Sequence, residues 1–277
     1  MQMEKNICFL GAGSIAEAMI AGLIKKQIVD PSNISVINRS DKQKIERLMK
    51  MYGIKQPVNK YQTISSAEIL ILAVKPKDIW EVLQDIYPYS HSDQLILSVI
   101  AGVTTDSITE AIHHHGPVIR AMPNTSAMVG LSATAIALGK YAKKKHSEVA
   151  QSILRAIGTV TVVKEKLLDA VTGLSGSGPA YLYYLVEAME NAAVELGINH
   201  KTARELIIQT IIGAGYMLKE TNEEPVILRE KVTSPGGSTM AGLEVLKEYQ
   251  FQNAIDQAIK KATLRSLELG KMMMKIQ

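Results

Sequence analysis

The chain is short of the residues that would take it out of the ordinary globular class. Its 277 residues include one cysteine, one tryptophan (Trp80) and two phenylalanines (Phe9 and Phe251) beside ten tyrosines. A lone cysteine closes no internal disulfide, so a reducing compartment is the default. Cys8 lies in the apolar run Ile7-Cys8-Phe9-Leu10 and reads as a small buried hydrophobe rather than a nucleophile. So few large aromatics argue against stacking platforms for single-stranded nucleic acid. The net charge of +4 is mild, and the densest basic run, Lys143-Lys144-Lys145, reads as the solvated start of a helix. No nucleic-acid partner is expected, although a small positive balance favours anionic ligands.

Long apolar runs are missing too. The most apolar helical stretch, residues 206–218, is interrupted by Gln209 and Thr210 and falls short of the roughly 20 residues that cross a bilayer. The segment 1–6 is polar and does not read as a secretory leader. A cytoplasmic protein without a membrane partner is expected. The run His113-His114-His115 closes a helical pattern; three consecutive histidines there cannot all face one ion, so no metal site is expected.

What is present is an ordinary composition, 47% hydrophobic and 21% charged, over a length suited to two domains. β-rich runs at 7–10, 34–38, 69–74, 95–99 and 118–121 alternate with helical patterns at 14–27, 41–51, 76–86 and 105–113. Two further runs, 133–138 and 159–163, flank a helix at 144–156. This alternation predicts an α/β domain, a Rossmann-type doubly wound and mostly parallel sheet. Beyond residue 163 the pattern turns wholly helical, with helices expected at 166–172, 179–196, 201–220, 225–231, 239–249 and 251–273. Residues 1–163 are therefore assigned to a nucleotide-binding domain and 164–277 to an all-α domain. Gly197 suits a left-handed helix end and Asn199 the cap of the next helix.

The first β–α junction reads Ile7-Cys8-Phe9-Leu10-Gly11-Ala12-Gly13-Ser14-Ile15-Ala16. It fits G-x-G-x-x-A: Gly11 for a tight turn, Gly13 for close backbone approach to a pyrophosphate, Ala16 for close helix–strand packing. The helix start then offers free N–H groups and a partial positive charge to phosphates. The second strand ends Asn38-Arg39-Ser40, with no acid on the tip to hold an adenosine ribose. Asp41 reads as a helix cap instead. Arg39 can pair a 2′-phosphate, with Asn38 and Ser40 adding hydrogen bonds, so NADPH is expected over NADH. The loops Ala73-Val74-Lys75-Pro76 and Ala121-Met122-Pro123-Asn124-Thr125 each follow a strand. Ligands in this fold sit outside the carboxyl ends of the strands, which offers Lys75 the phosphate–ribose region and Asn124 the nicotinamide end, or else a plain loop role for each.

The helical half lacks a usual general acid or base: no lysine occurs from Leu167 to His200, where related two-domain hydroxy-acid dehydrogenases carry one. It has instead two hydroxyl- and glycine-rich helix starts, Ser175-Gly176-Ser177-Gly178-Pro179 and Ser234-Pro235-Gly236-Gly237-Ser238-Thr239. Both suit an anion such as a substrate carboxylate, with plain capping as the alternative. A carboxylate site without a strong acid suits a substrate that is already electrophilic, such as a protonated imine, for which binding and orientation carry most of the catalysis. The stretch 206–218 is apolar around most of its circumference and holds Gly213 and Gly215. Such a helix is expected to be deeply buried with close backbone approach, and since a domain of this size offers little core for it, a subunit interface and an obligate dimer are expected.

Segments 9–16, 73–77, 121–125, 169–181 and 232–239, in this order and over nearly the whole chain, resemble pyrroline-5-carboxylate reductase. The most distinctive are Asp169-Ala170-Val171-Thr172-Gly173-Leu174-Ser175-Gly176-Ser177-Gly178-Pro179-Ala180-Tyr181 and Thr233-Ser234-Pro235-Gly236-Gly237-Ser238-Thr239. One departure is Ser126, where the family often has a proline after Met-Pro-Asn-Thr; it bears on the rigidity of that loop. The resemblance implies a Rossmann domain followed by an all-α domain that interlocks into a homodimer, rings of dimers also occurring in the family. It implies reduction of 1-pyrroline-5-carboxylate to L-proline, the last step of proline synthesis, with NADPH or NADH. Carried over by motif, Ser234, Gly237, Ser238 and Thr239 hold the substrate carboxylate, and Thr239 is the catalytic hydroxyl nearest the ring nitrogen. Gly11, Ala12, Gly13, Ser14, Ile15, Asn38, Arg39, Ala73, Lys75 and Asn124 line the cofactor. Another imine or 3-hydroxy-acid reductase of the same architecture, or a dinucleotide sensor without catalysis, stay as alternatives.

Overall fold

The computed structural model describes residues 3–39, 41–55 and 57–274. The chain divides into two compact units, Met1–Ser177 with Lys260–Gln277, and Gly178–Ile259.

The first unit is built on seven strands: β1 (Ile7–Leu10), β2 (Ile34–Ile37), β3 (Ile69–Leu72), β4 (Leu95–Ser98), β5 (Val118–Met122), β6 (Ser132–Leu138) and β7 (Gly158–Val162). Their order in the sheet is β2-β1-β3-β4-β5-β6-β7. Every pairing is parallel except β5 with β6. Helices α1 (Ser14–Lys25), α2 (Lys42–Tyr52), α3 (Lys60–Ser66), α4 (Ile79–Ile86), α5 (Thr105–Ala111) and α6 (Lys144–Leu154) connect the strands. A short helix, α7 (Leu168–Val171), follows β7.

Alternation along each strand explains the two cores. Ile7, Phe9, Ile69, Ile71, Leu95 and Leu97 point to one face, where Met19, Ile20 and Leu23 of α1 and Ile153 of α6 cover them. Cys8, Leu10, Leu70, Leu72 and Ile96 point to the other, under Ile64 of α3, Leu83 of α4 and Ile108 of α5. Strands buried on both faces have no polar side to show, which is why they read as continuous apolar runs. Cys8 is fully buried and its thiol is pushed up to about 12, chiefly by loss of solvent. It is therefore held as the neutral thiol, the inert form expected of a packing residue.

Two features of this unit depart from the sequence reading. Helix α3 lies between β2 and β3, in a stretch whose mixed residues give no clear apolar period; Asn59 starts it by accepting from the amides of Tyr61 and Gln62. The glycine-rich segment after α7 is not an open loop. Residues Thr172–Gly176 continue the helix as a π-turn, in which Ser175 Oγ donates to Val171 O (3.3 Å) and the Ser177 amide to Thr172 O (2.8 Å).

The second unit contains α8 (Gly178–Glu195), α9 (His200–Thr221), α10 (Pro225–Lys231), α11 (Ser238–Glu248) and the first part of α12 (Phe251–Met274). Gly197, at φ +91°, ends α8, and the Asn199 side chain caps α9 through the Thr202 amide (3.0 Å). Glu190 of α8 takes a two-pronged contact from Arg204 of α9 (2.6 and 3.0 Å), with His200 Nε2 at 3.5 Å. These hydrogen bonds hold the Glu190 carboxyl below its ordinary range and raise Arg204. Helix α9 finds little cover within the chain, in line with the small core that the sequence offers it. Leu206, Ile212, Tyr216 and Met217 are exposed, and side chains added at Gly213 or Gly215 would meet open space.

The end of α12 belongs to the first unit. Trp80 Nε1 donates to Met273 O (2.9 Å), and Gly102 and Gly270 approach so closely that a Cβ on Gly102 would lie 3.0 Å from Gly270 Cα.

Candidate functional site

The tips of β1, β2 and β3 meet where the connections diverge to the two sides of the sheet, the place where this fold receives ligands. Gly11 follows β1 with φ +108°, a conformation that L side chains rarely adopt, and donates its amide to Ile37 O of β2 (2.8 Å). A Cβ on Gly11 would stand 2.5 Å from Ala73 O and one on Gly13 3.7 Å from it. Gly11 thus tolerates no side chain, and the backbone there lies bare toward the tip of β3. Gly13 starts α1 with no side-chain cap, so the first amides of a 12-residue helix are available to a pyrophosphate. Ala16 is fully buried beneath the turn. The predicted residues Gly11, Ala12, Gly13, Ser14, Ile15, Ala73 and Val74 are therefore brought together. This cradle fits a dinucleotide's pyrophosphate.

At the tip of β2 the structure places Asn38, half-buried, and Arg39, exposed; Ser40 lies outside the described residues. Asp41 caps α2 by accepting from the Lys44 amide (2.8 Å), the role its position predicted, and leaves the tip without an acid of its own. The acid comes from elsewhere. Glu81 of α4 pairs with the Arg39 guanidinium, a partner that sequence reasoning missed because it lies 42 residues away. Lys75 is exposed at the start of the turn Pro76–Asp78.

Asn124 follows β5. Its Oδ1 accepts from the Ser126 amide (3.1 Å), its Nδ2 donates to Ser175 O (2.9 Å), and its own amide donates to Ser132 Oγ (3.0 Å). One amide hydrogen and one lone pair remain for a ligand. The turn Thr125–Val129 after it packs against α1, tying this loop to the phosphate cradle. Ser126 thus gives the loop a hydrogen bond that a proline at this position could not.

In the second unit, Gly237 starts α11 without a side-chain cap. Its amide donates to Ser234 O (3.0 Å), and a Cβ on it would meet Ser234 Oγ at 2.6 Å. The hydroxyls of Ser234, Ser238 and Thr239 make no hydrogen bond among the described residues, and all three residues are exposed. Open hydroxyls around uncapped amides are the donor set a carboxylate needs. The three consecutive histidines face different partners: His113 meets Tyr87 edge-on, His114 reaches Ser90, and His115 stacks on Tyr141.

A dinucleotide cradle followed in the chain by helices and a hydroxyl-rich turn suited to a carboxylate points to a nucleotide-dependent oxidoreductase. Comparison with known proteins narrows the class. A family model described as pyrroline-5-carboxylate reductase dimerisation matches residues 165–269, and one described as NADP oxidoreductase, coenzyme F420-dependent, matches residues 6–102. Pyrroline-5-carboxylate reductase 1 of Bacillus subtilis is 44% identical over 96% of this chain and 90% of its own length. The Escherichia coli reductase is 35% identical over 97% of this chain and 100% of its own. The solved structure of a pyrroline-5-carboxylate reductase from Coxiella burnetii superposes with a TM-score of 0.90 at 35% identity, covering 96% of this chain and 99% of that one. A Plasmodium falciparum pyrroline carboxylate reductase with NADP bound gives 0.87 at 26% identity over 98% and 100%. The chain belongs to the pyrroline-5-carboxylate reductase family. Among the described residues no helix is long and apolar enough to cross a membrane.

Proposed function

We propose that this chain reduces 1-pyrroline-5-carboxylate to L-proline as the last step of proline synthesis, working in the cytoplasm as a homodimer, with NADPH preferred over NADH. The observation that carries the reading is the pair of complementary anion sites: the Gly11–Gly13 cradle with uncapped α1 and the Ser234–Thr239 turn with uncapped α11.

When bound, the reduced nicotinamide supplies a hydride. The chain's own residues do the rest. The amides of Gly13, Ser14 and Ile15 hold the pyrophosphate, Lys75 adds a cation, and Asn38, Arg39 and Ser40 take the 2′-phosphate. Ala73 and Val74 line the cradle wall, and Asn124 fixes the loop at the nicotinamide end. Ser234 and Ser238, with the open α11 amides that follow Gly237, bind the substrate carboxylate. Thr239 sets its hydroxyl toward the ring nitrogen. The imine arrives protonated: its carbon takes the hydride, the C=N π pair moves to nitrogen, and the proton already there stays on the amine formed. No strong acid is required, in keeping with the absence of lysine from 167 to 200.

Residues 164–277 form the substrate-binding and dimerisation domain in this reading and residues 1–163 the cofactor domain; rings of such dimers are the larger assembly to look for. The exposed apolar side of α9 supports pairing with a second copy. Following cofactor absorbance with NADPH and 1-pyrroline-5-carboxylate tests the activity, and no oxidation above background would sink it. Thr239→Ala is expected to lower kcat about tenfold or more, the loss of one transition-state hydrogen bond, with NADPH affinity unchanged. Loss of NADPH binding instead would contradict the placement of Thr239.

A further inference from the structure

Arg120 is a buried charge that the reaction as derived leaves unused. It sits within the apolar strand β5, with its side chain 5% exposed. Burying a guanidinium is costly unless carboxylates and hydrogen bonds compensate it. Two acids do so, Glu165 at 3.7 Å and Asp169 at 3.9 Å. Glu165 opens the 3-10 turn Glu165–Leu167 that leads into α7, Asp169 lies in the first turn of α7, and both reach the strand. Each is locked by another element. The amide and hydroxyl of Thr105, at the start of α5, donate to Glu165 (2.8 and 2.6 Å). Ser266 of α12 donates to Asp169 Oδ1 (2.7 Å).

Side chains two residues apart on a strand share a face, and β5 uses this on one segment. Arg120 holds the first turn of α7. Met122 packs on Gly176, where an added Cβ would lie 2.8 Å from its Cε. Asn124, next in the series, donates to Ser175 O. The strand and the loop that follows it thus hold α7 and its π-turn at three points, Arg120 and Met122 from β5 and Asn124 from the loop at the nicotinamide end. π-turns inside helices are rare and concentrate at functional sites. Here the wide turn brings the Ser175 carbonyl to Asn124.

We infer that Asp169, held by Arg120 and Ser266, is a positioning residue: it fixes the π-turn Thr172–Gly176 so that Ser175 O orients Asn124 in the cofactor site. The inference rests on the reading of Asn124 as a residue of the nicotinamide end. It acts through Asn124, so its energetic signature is coupling rather than simple loss of stability.

The test is a double-mutant cycle of Asp169→Asn and Asn124→Ala in the full-length enzyme, reading kcat, NADPH dissociation constant and melting temperature. Each single variant is expected to lower kcat about tenfold, or about 1.4 kcal/mol of barrier, with NADPH affinity changed less than about twofold. The double variant is expected to be no slower than the slower single. Multiplied losses of about a hundredfold, or Asp169→Asn with unaltered kcat, would overturn the inference while leaving Asn124 in its role. Asn124→Ala with unaltered kcat and NADPH affinity would overturn the reading of Asn124 and the inference with it. Where Asp169→Asn does not fold, Ser266→Ala removes one hydrogen bond and keeps the ion pair. It is expected to lower kcat about threefold, the loss of one net hydrogen bond, and to have no further effect in the Asn124→Ala background; additivity there overturns the inference.

Discussion

The two units of this chain are built to different degrees of completion. The first buries strand residues on both faces of its sheet, from Ile7 and Phe9 to Leu70 and Ile96, under helices of its own. The second has three buried residues, Glu190, Ala203 and Ile207, although its helices are rich in leucine, isoleucine, methionine and tyrosine. Since burial of apolar surface is the dominant favourable contribution to folding, the first unit has what it needs within its own sequence. The second presents Leu182, Tyr184, Leu206, Ile212, Tyr216 and Leu218 to the outside, far more exposed apolar surface than a monomer usually carries. The lesson is that the Gly11–Gly13 cradle stands on a unit finished within the chain, whereas the Ser234–Thr239 turn stands on a unit whose apolar side is left uncovered.

The strongest way to break that comparison is to spoil the open face. Leu206→Asp with Ile212→Asp is expected to abolish the dimer and lower turnover at least about a hundredfold, the loss of a hot-spot cluster. NADPH binding should hold within about threefold, because the cradle belongs to the first unit. Sedimentation and cofactor titration on one sample check both halves. An active, folded monomer would remove the distinction between the units.

Charge at the β2 tip sharpens the first half of the comparison. Arg39→Ala is expected to raise the KM for NADPH about tenfold, as loss of a charged hydrogen-bond partner does, and to leave that for NADH nearly unchanged. Glu81→Gln removes the carboxylate that competes for Arg39 and is expected to lower the KM for NADPH by about threefold at most, both side chains being well exposed. Equal effects on the two cofactors would displace Arg39 from the 2′-phosphate.

Acid should separate the units last and least. In the first, partial burial and then His91 and His115 lower the pKa of His114, whose Nδ1 accepts the Gly116 amide. Below the ordinary value of 6.5 the unfolded chain takes up a proton that the folded one resists, so stability falls as pH falls through that window. In the second, the Arg204 hydrogen bonds hold Glu190 below its ordinary 4.5, so its contribution is lost only as pH drops beneath that value. Hydrogen exchange, corrected for its intrinsic pH dependence, should show residues 112–118 loosening before α8 and α9. The reverse order would contradict the assignment.

Much of this was legible in the sequence where the cause is local. Gly11, Gly197, Asn199 and Asp41 each act on a backbone a few residues away, and each takes the role its position predicts. Helix α3 was hidden because it has no apolar period to report. The segment 175–179 read as an open helix start because its glycines and serines fit a loop as well as a π-turn. Arg120 carried a signal that could have been used: one charge inside the apolar run Val118-Ile119-Arg120-Ala121 must have a buried partner.

By itself the sequence determined the strand–helix alternation, the phosphate turn, the helix caps and the set of motifs that places the chain in its family. All depend on φ/ψ preferences, hydrogen bonds and periodicities within a few residues. Tertiary structure alone decided that β6 runs against β5, that Glu81 meets Arg39, that Arg120 of β5 meets Asp169 and Asn124 just after β5 meets Ser175, and that α9 keeps its apolar side uncovered. These joins depend on strand order and on which surfaces run out of partners. No local rule fixes them, because they arise only when distant segments compete for the same space.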